Sequence, residues 1–232
     1  MRKKSIIIEP KTPATACVIW LHGLGAKRDF SKLVPEFNLP NNHGVRFIFP
    51  FAEINSLTIN KSEIIHSWYD IKSVCNTTMV RKIDITSALH SCAYIHSIID
   101  QQIKLGISPH NIILIGFSQG ALIAGLSSLT AKHALAASII ISGYLPEWPL
   151  FARNIQIPHQ HTKYICMHGT QDTIVPIKLG TTAKAMLIQH GYNVTWHTYE
   201  TGHELCFDAI QKIRSILADK LIDVATPQIN SH

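Results

Sequence analysis

Asn111-Ile112-Ile113-Leu114-Ile115 runs through Gly116-Phe117-Ser118-Gln119-Gly120 into Ala121-Leu122-Ile123-Ala124, and no other stretch limits the fold of this chain so tightly. A β-branched run without polar alternation predicts a strand covered on both faces. It passes through a two-glycine turn directly into a helical run. The turn forces a strained backbone at Ser118, and bulky flanking side chains would strike the strand and helix that it joins. Strand, sharp turn and helix in that order imply parallel strands connected by helices.

The rest of the sequence repeats the alternation. Strands are expected at Ser5 to Glu9, Cys17 to His22, Arg46 to Phe49, Asn111 to Gly116, Ala137 to Ser142, Lys163 to His168 and Asn193 to Tyr199. Helices are expected at Asp29 to Phe37, Asp84 to Leu105, Gln119 to Ala131, Lys178 to His190 and Glu204 to Leu221. In the second, Ile85, Leu89, Cys92, Ile95, Ile99 and Ile103 recur every three to four residues and paint one face, and Gly106 supplies a C-cap. The reading is an α/β protein with an open, mostly parallel central sheet and helices on both faces. Phe51 to Thr78 is the one long stretch without a clear period, and such segments in compact domains are often functional. With 232 residues, 46% of them hydrophobic, the chain can build one core without disulfide or structural metal. A single domain over 1–224 is expected, with a frayed tail at 225–232.

Several function classes fall away. No apolar run approaches the roughly 18 residues of a membrane-spanning helix. Ile6-Ile7-Ile8 after the basic start is too short for a secretory signal. The five cysteines form no C-x-x-C pair, which fits reduced thiols and a cytoplasmic location. The net charge of +6 is scattered, so no nucleic-acid partner is expected. His159 and His161 lack a third ligand nearby, so no metal site is expected.

Serine is a poor nucleophile without a base and an orienting carboxylate, and a G-x-S-x-G turn demands them in the order Ser, Asp, His. Asp172 follows the strand ending near His168, and His203 follows the last strand behind Gly202. The separations of 54 and 31 residues each leave room for a strand and a helix. His203 would move the proton of Ser118, and Asp172 would fix its tautomer. Glu200 is the rival carboxylate, while Glu204 and Asp208 read as acids of the last helix's first turn. An oxyanion needs two backbone N–H donors, for which Gln119 and Leu24 of His22-Gly23-Leu24-Gly25 are the candidates. That Gly-Leu-Gly is no dinucleotide cradle, because Arg28 stands where a third glycine is required.

These residues together resemble the acyl-protein thioesterase and carboxylesterase (phospholipase/carboxylesterase) family of α/β-hydrolases. The resemblance runs from about Cys17 to about Leu221. It is carried by Leu21-His22-Gly23-Leu24-Gly25-Ala26, Thr58-Ile59-Asn60, Ser67-Trp68-Tyr69-Asp70-Ile71, the Ser118 turn, His168-Gly169 with Asp172 and Val175-Pro176, and Gly202-His203. It implies an α/β-hydrolase fold and a cofactor-free serine hydrolase, with the triad on Ser118, Asp172 and His203 and the oxyanion donors on Leu24 and Gln119. Implied substrates are acylated proteins, lysophospholipids or small carboxylic esters. Some family members dimerise over the active-site face.

The resemblance places the family's tryptophan at Trp68, which the residues alone leave open between a core plug and a substrate wall. Leu57 and Ile59 are expected to line an acyl groove, with Phe51 near its entrance. Phe51, Glu53, Lys27, Arg28, Ala121 and Thr201 depart from the family pattern, and a basic mouth would favour an anionic membrane surface or headgroup. The competing readings are a short-chain or dienelactone-type hydrolase and a non-catalytic lipid- or protein-binding member of the fold.

Overall fold

Every residue of the strand Ala16–Leu21 is buried, and its side chains alternate between two separate apolar cores. Cys17, Ile19 and Leu21 join one, while Ala16, Val18 and Trp20 join the other. The neighbouring strand divides likewise, Ile112 and Leu114 on one side and Ile113 and Ile115 on the opposite side. Period-2 geometry therefore turns an unbroken apolar run into the middle layer of a three-layer protein.

The computed structural model describes residues 5–26, 29–60, 63–155 and 161–222. In chain order the strands and helices are β1 (Ser5–Ile8), β2 (Ala16–Leu21), β3 (Val45–Pro50), β4 (Ile54–Ser56), β5 (Ile64–His66), β6 (Ile71–Val74), β7 (Arg81–Ile83), α1 (Ile85–Lys104), β8 (Ile112–Phe117), α2 (Gln119–Thr130), β9 (Ala137–Ile141), β10 (Lys163–Gly169), α3 (Ile177–Gln189), β11 (Asn193–Tyr199) and α4 (Phe207–Leu217). The main sheet runs β1-β3-β2-β8-β9-β10-β11. Within that sheet only the β1–β3 pairing is antiparallel among the described residues. Helices α1, α2 and α3 pack on one face, and α4 packs on the other beside the segment Phe30–Phe37. Register brings the carboxyl ends of the strands level: Leu21 pairs with Gly116, Phe117 with Ile141 and Gly169 with Tyr199. The loops carrying Leu24, Ser118, Asp172 and His203 therefore leave the sheet along one edge.

Three expectations change. Phe30–Phe37 is a 3-10 helix, with Asp29 accepting from the Ser31 N–H as its N-cap. Pro35 lies inside it and lacks the N–H that an α-helical bond would use. The aperiodic stretch contains one small hairpin, β4–β5, and the first strand of a second, β6–β7, which closes just beyond it at Arg81–Ile83; strands of three or four residues are too short to display alternation. The last helix starts at Phe207 and continues past Leu217 as a wider turn, Ala218–Ile222, so Glu204 precedes it while Asp208 is in its first turn. Lys27, Arg28, His159 and the tail at 225–232 lie outside the described residues. Cys17, Cys75, Cys92, Cys166 and Cys206 are all unpaired. Burial pushes the Cys17, Cys92 and Cys166 thiols up to about 12.

Candidate active site

Ser118 sits between β8 and α2 at φ 55° and ψ −116°, a conformation that costs a non-glycine residue about 1–3 kcal/mol. Its N–H donates to Ile141 O at 2.9 Å, which ties the turn to β9. The flanking glycines are required by contact: a Cβ on Gly116 would stand 2.1 Å from Gly120 O, and one on Gly120 would stand 2.4 Å from His22 O. The packing that excludes side chains there lifts Ser118 above the sheet edge.

Asp172, buried after β10, spends both carboxylate oxygens. Oδ1 accepts from the N–H groups of Ile174 at 2.9 Å and Val175 at 2.8 Å. Oδ2 accepts from His203 Nδ1–H at 2.7 Å. Burial alone would raise this carboxyl, but the bonds from His203 and Val175 and the nearby His203 and His168 hold it below its ordinary range. His168 stands behind, its Nε2–H donating to Val175 O at 2.7 Å and so fixing the loop that supplies the two amides. Burial lowers the pKa of His168, which keeps it neutral.

With Nδ1 protonated toward Asp172, His203 offers a lone pair at Nε2, and Ser118 Oγ–H donates to it at 2.9 Å. The arrangement can take a proton from the serine and stabilise the resulting imidazolium. Glu200 is exposed, and no hydrogen bond joins it to His203.

The N–H groups of Leu24 and Gln119 both begin helical turns, where no intrahelical carbonyl accepts them. Both residues line the cavity that contains Ser118. Their loop is braced from below. His22 Nε2 accepts from the Ala52 N–H at 3.0 Å, so its Nδ1 carries the proton and donates to Gly23 O at 2.6 Å. Burial, with a smaller contribution from His66, lowers the His22 pKa to about 4 despite that bond to Gly23. The Gln119 side chain accepts from the Trp68 N–H at 2.9 Å and donates to Tyr69 O at 2.8 Å.

Trp68 is a plug under this loop. It is buried in the core, and its indole N–H donates to His22 O at 2.8 Å. The cavity of about 360 Å³ is walled instead by its neighbour Tyr69, with Ile71, Arg81, Tyr144, Ile174 and Val175. None of the expected groove residues Trp68, Leu57, Ile59 and Phe51 lines it. Leu57 is fully buried, and the next residue is latched, Thr58 donating through N–H and Oγ–H to Asp70 at 2.8 and 2.6 Å. Ile59 is exposed to solvent, whereas Phe51 packs on His22 and His66 and borders a different cavity. A segment without period gives no signal of which way its side chains point. Tyr69 lies within a quoted motif, but Arg81 and Tyr144 carry no sequence signal.

A family model described as Phospholipase/Carboxylesterase matches residues 2–221. The chain is 33% identical over 231 residues to acyl-protein thioesterase 1 of Neurospora crassa, covering 97% of this chain and 94% of that protein. A probable carboxylesterase of Oryza sativa subsp. japonica is 31% identical, with 88% of each chain covered. The crystal structure of Arabidopsis thaliana SOBER1 superposes with a TM-score of 0.80 at 26% identity, covering 89% of this chain and 99% of that one. Among the described residues no helix is long and apolar enough to cross a membrane.

Proposed function

This chain belongs to the phospholipase/carboxylesterase family and is an ester hydrolase, and on that premise we propose that it cleaves acyl esters and thioesters through a covalent intermediate on Ser118. The supporting observation is the chain of hydrogen bonds from Ser118 through His203 to Asp172 at the floor of the cavity, with links of 2.9 and 2.7 Å. Ser118 Oγ attacks the acyl carbon while His203 Nε2 takes its proton. The oxyanion that forms is met by the N–H groups of Leu24 and Gln119, each donor contributing about 100- to 1000-fold in rate. Collapse expels the alcohol or thiol, which leaves with the proton from Nε2. Water then gives a proton to Nε2 and attacks the acyl-enzyme, releasing the carboxylic acid and restoring the serine. No step calls for a cofactor.

The names of the relatives favour an acyl thioester as substrate, and the chain would act in the cytoplasm, where its unpaired thiols stay reduced. The test is hydrolysis of matched oxyesters and thioesters with acyl chains of two to sixteen carbons by native protein and Ser118→Ala. Ser118-dependent turnover of long-chain thioesters is expected. Activity on the shortest oxyesters alone would replace the thioesterase reading with a small-ester one, and folded native protein without any turnover would leave a binding function.

A further inference from the structure

The cavity beside Ser118 contains a cation and two phenols that the hydrolytic steps do not use. Arg81 opens β7, half-buried, and its side chain lines the cavity. The guanidinium is held in place: Nη1–H donates to Met79 O at 3.0 Å, Nη2–H donates to Ile174 O, and Cζ stands 5.4 Å from the centre of the Tyr144 ring. Among the described residues no carboxylate forms an ion pair with it. Among the described residues no acceptor takes the rest of its fork of N–H donors.

Next to it, the hydroxyls of Tyr69 and Tyr144 are 2.9 Å apart, in residues only 1% and 7% exposed. The pair owns two protons and uses one for its own bond. The second has no acceptor among the described residues, although a buried hydroxyl ordinarily finds one. Burial raises both phenol pKa values, and the positive charge of Arg81 works against that rise at each. Neutral alkyl chain packed here would bury a charge and a donor without partners. An anionic oxygen would satisfy both, because a carboxylate or phosphate accepts and does not donate.

We propose that Arg81 and the Tyr69–Tyr144 pair form an anion subsite in the catalytic cavity, selecting esters or thioesters that carry a carboxylate or a phosphate. Selection during turnover rests on the reading of Ser118 as nucleophile; anion binding does not. Arg81 thereby determines specificity and takes no part in bond breaking.

Two matched pairs test it. On the acyl side, the thiophenyl ester of butyrate is compared with the thiophenyl half-ester of glutarate. On the alcohol side, glycerol monobutyrate is compared with its glycerol phosphate counterpart. The anionic member of at least one pair should have the higher kcat/KM by about ten- to hundredfold, the range of a charge-assisted hydrogen bond. The pair that responds identifies where the anion is carried. The ratio should fall toward one in Arg81→Gln, be partly kept in Arg81→Lys, and shrink with added salt. Because Arg81 also tethers Ile174, Tyr144→Phe supplies a second variant that spares the tether and should lower the same ratio. Calorimetric binding of the four compounds to Ser118→Ala should show the same preference. A ratio near one in both pairs, or equal losses for charged and neutral esters in Arg81→Gln, overturns the subsite. Arg81-dependent anion binding without any turnover would count for the subsite and against the hydrolytic reading.

Discussion

Replacing Asp172 by Asn changes one atom, and the surrounding bonds dictate how the new amide must sit. Oδ1 accepts from two backbone N–H groups, at 2.9 and 2.8 Å, so an NH₂ group in that position would set donors against donors. The amide nitrogen is driven to the Oδ2 position, facing His203 Nδ1 at a distance now 2.7 Å. Nδ1 must then accept, which moves the imidazole proton to Nε2. There it meets Ser118 Oγ as a donor and can no longer remove a proton. Reversing the tautomer costs about 10⁴-fold in kcat in another triad hydrolase, equivalent to about 5 kcal/mol of transition-state stabilisation. Folding should hardly respond, because both backbone bonds to Oδ1 survive. Asp172→Ala, in contrast, orphans two N–H groups at about 1–3 kcal/mol each where they are buried. Steady-state hydrolysis of an activated ester, with urea unfolding of the same samples, reads both quantities. A folded Asn variant within tenfold of native activity would refute the tautomer argument and remove Asp172 from the orienting role.

Three further outcomes are expected. Gly120→Ala puts a methyl group 2.4 Å from His22 O, and overpacking of this kind costs about 1–3 kcal/mol; the loop with Leu24 should shift, lowering kcat together with the thermal midpoint. Ser118→Gly abolishes turnover but relieves the strain at φ 55°, so its urea midpoint should exceed that of Ser118→Ala by the equivalent of about 1 kcal/mol; equal midpoints would show that the turn stores no strain. His22 has its pKa lowered from 6.5 to about 4, so the unfolded chain binds the proton more tightly and stability declines as pH falls from 6.5 toward 4. The full decline is about 3 kcal/mol at 1.36 kcal/mol per unit. His22→Gln should flatten the midpoint-against-pH curve across that window, and an unchanged slope would assign the decline to other lowered histidines such as His96 and His168.

The main-sheet strands and long helices were legible because their signals are local. Ile112 to Ile115 is apolar and mostly β-branched at successive positions and ends in a glycine turn, as a short strand covered on both faces requires, and α1 repeats its apolar residues at helical spacing. Ser118, Asp172 and His203 were legible because each follows a strand whose carboxyl end the parallel topology brings to one edge. The wall of the cavity was not. Tyr69, Arg81 and Tyr144 come from a loop, a three-residue strand and another loop, where neither periodicity nor turn chemistry records side-chain direction. For the same reason Leu57 and Ile59, two residues apart and both apolar, ended in different places, one buried and one in solvent.

The sequence by itself determined the order of the seven main-sheet strands and the long helices between them, the strained serine turn and the candidate nucleophile, base and carboxylate, since each depends on residue type and short-range spacing. Tertiary structure decided which way the side chains of residues 51–59 and 63–83 face. It made Trp68 a brace for the His22 loop and Tyr69 a wall of the cavity, and it brought Arg81 against Tyr144 across 63 residues of sequence. Those directions are set by contacts between segments remote in the chain, and such contacts exist only once the sheet has assembled and the hairpins have packed on it.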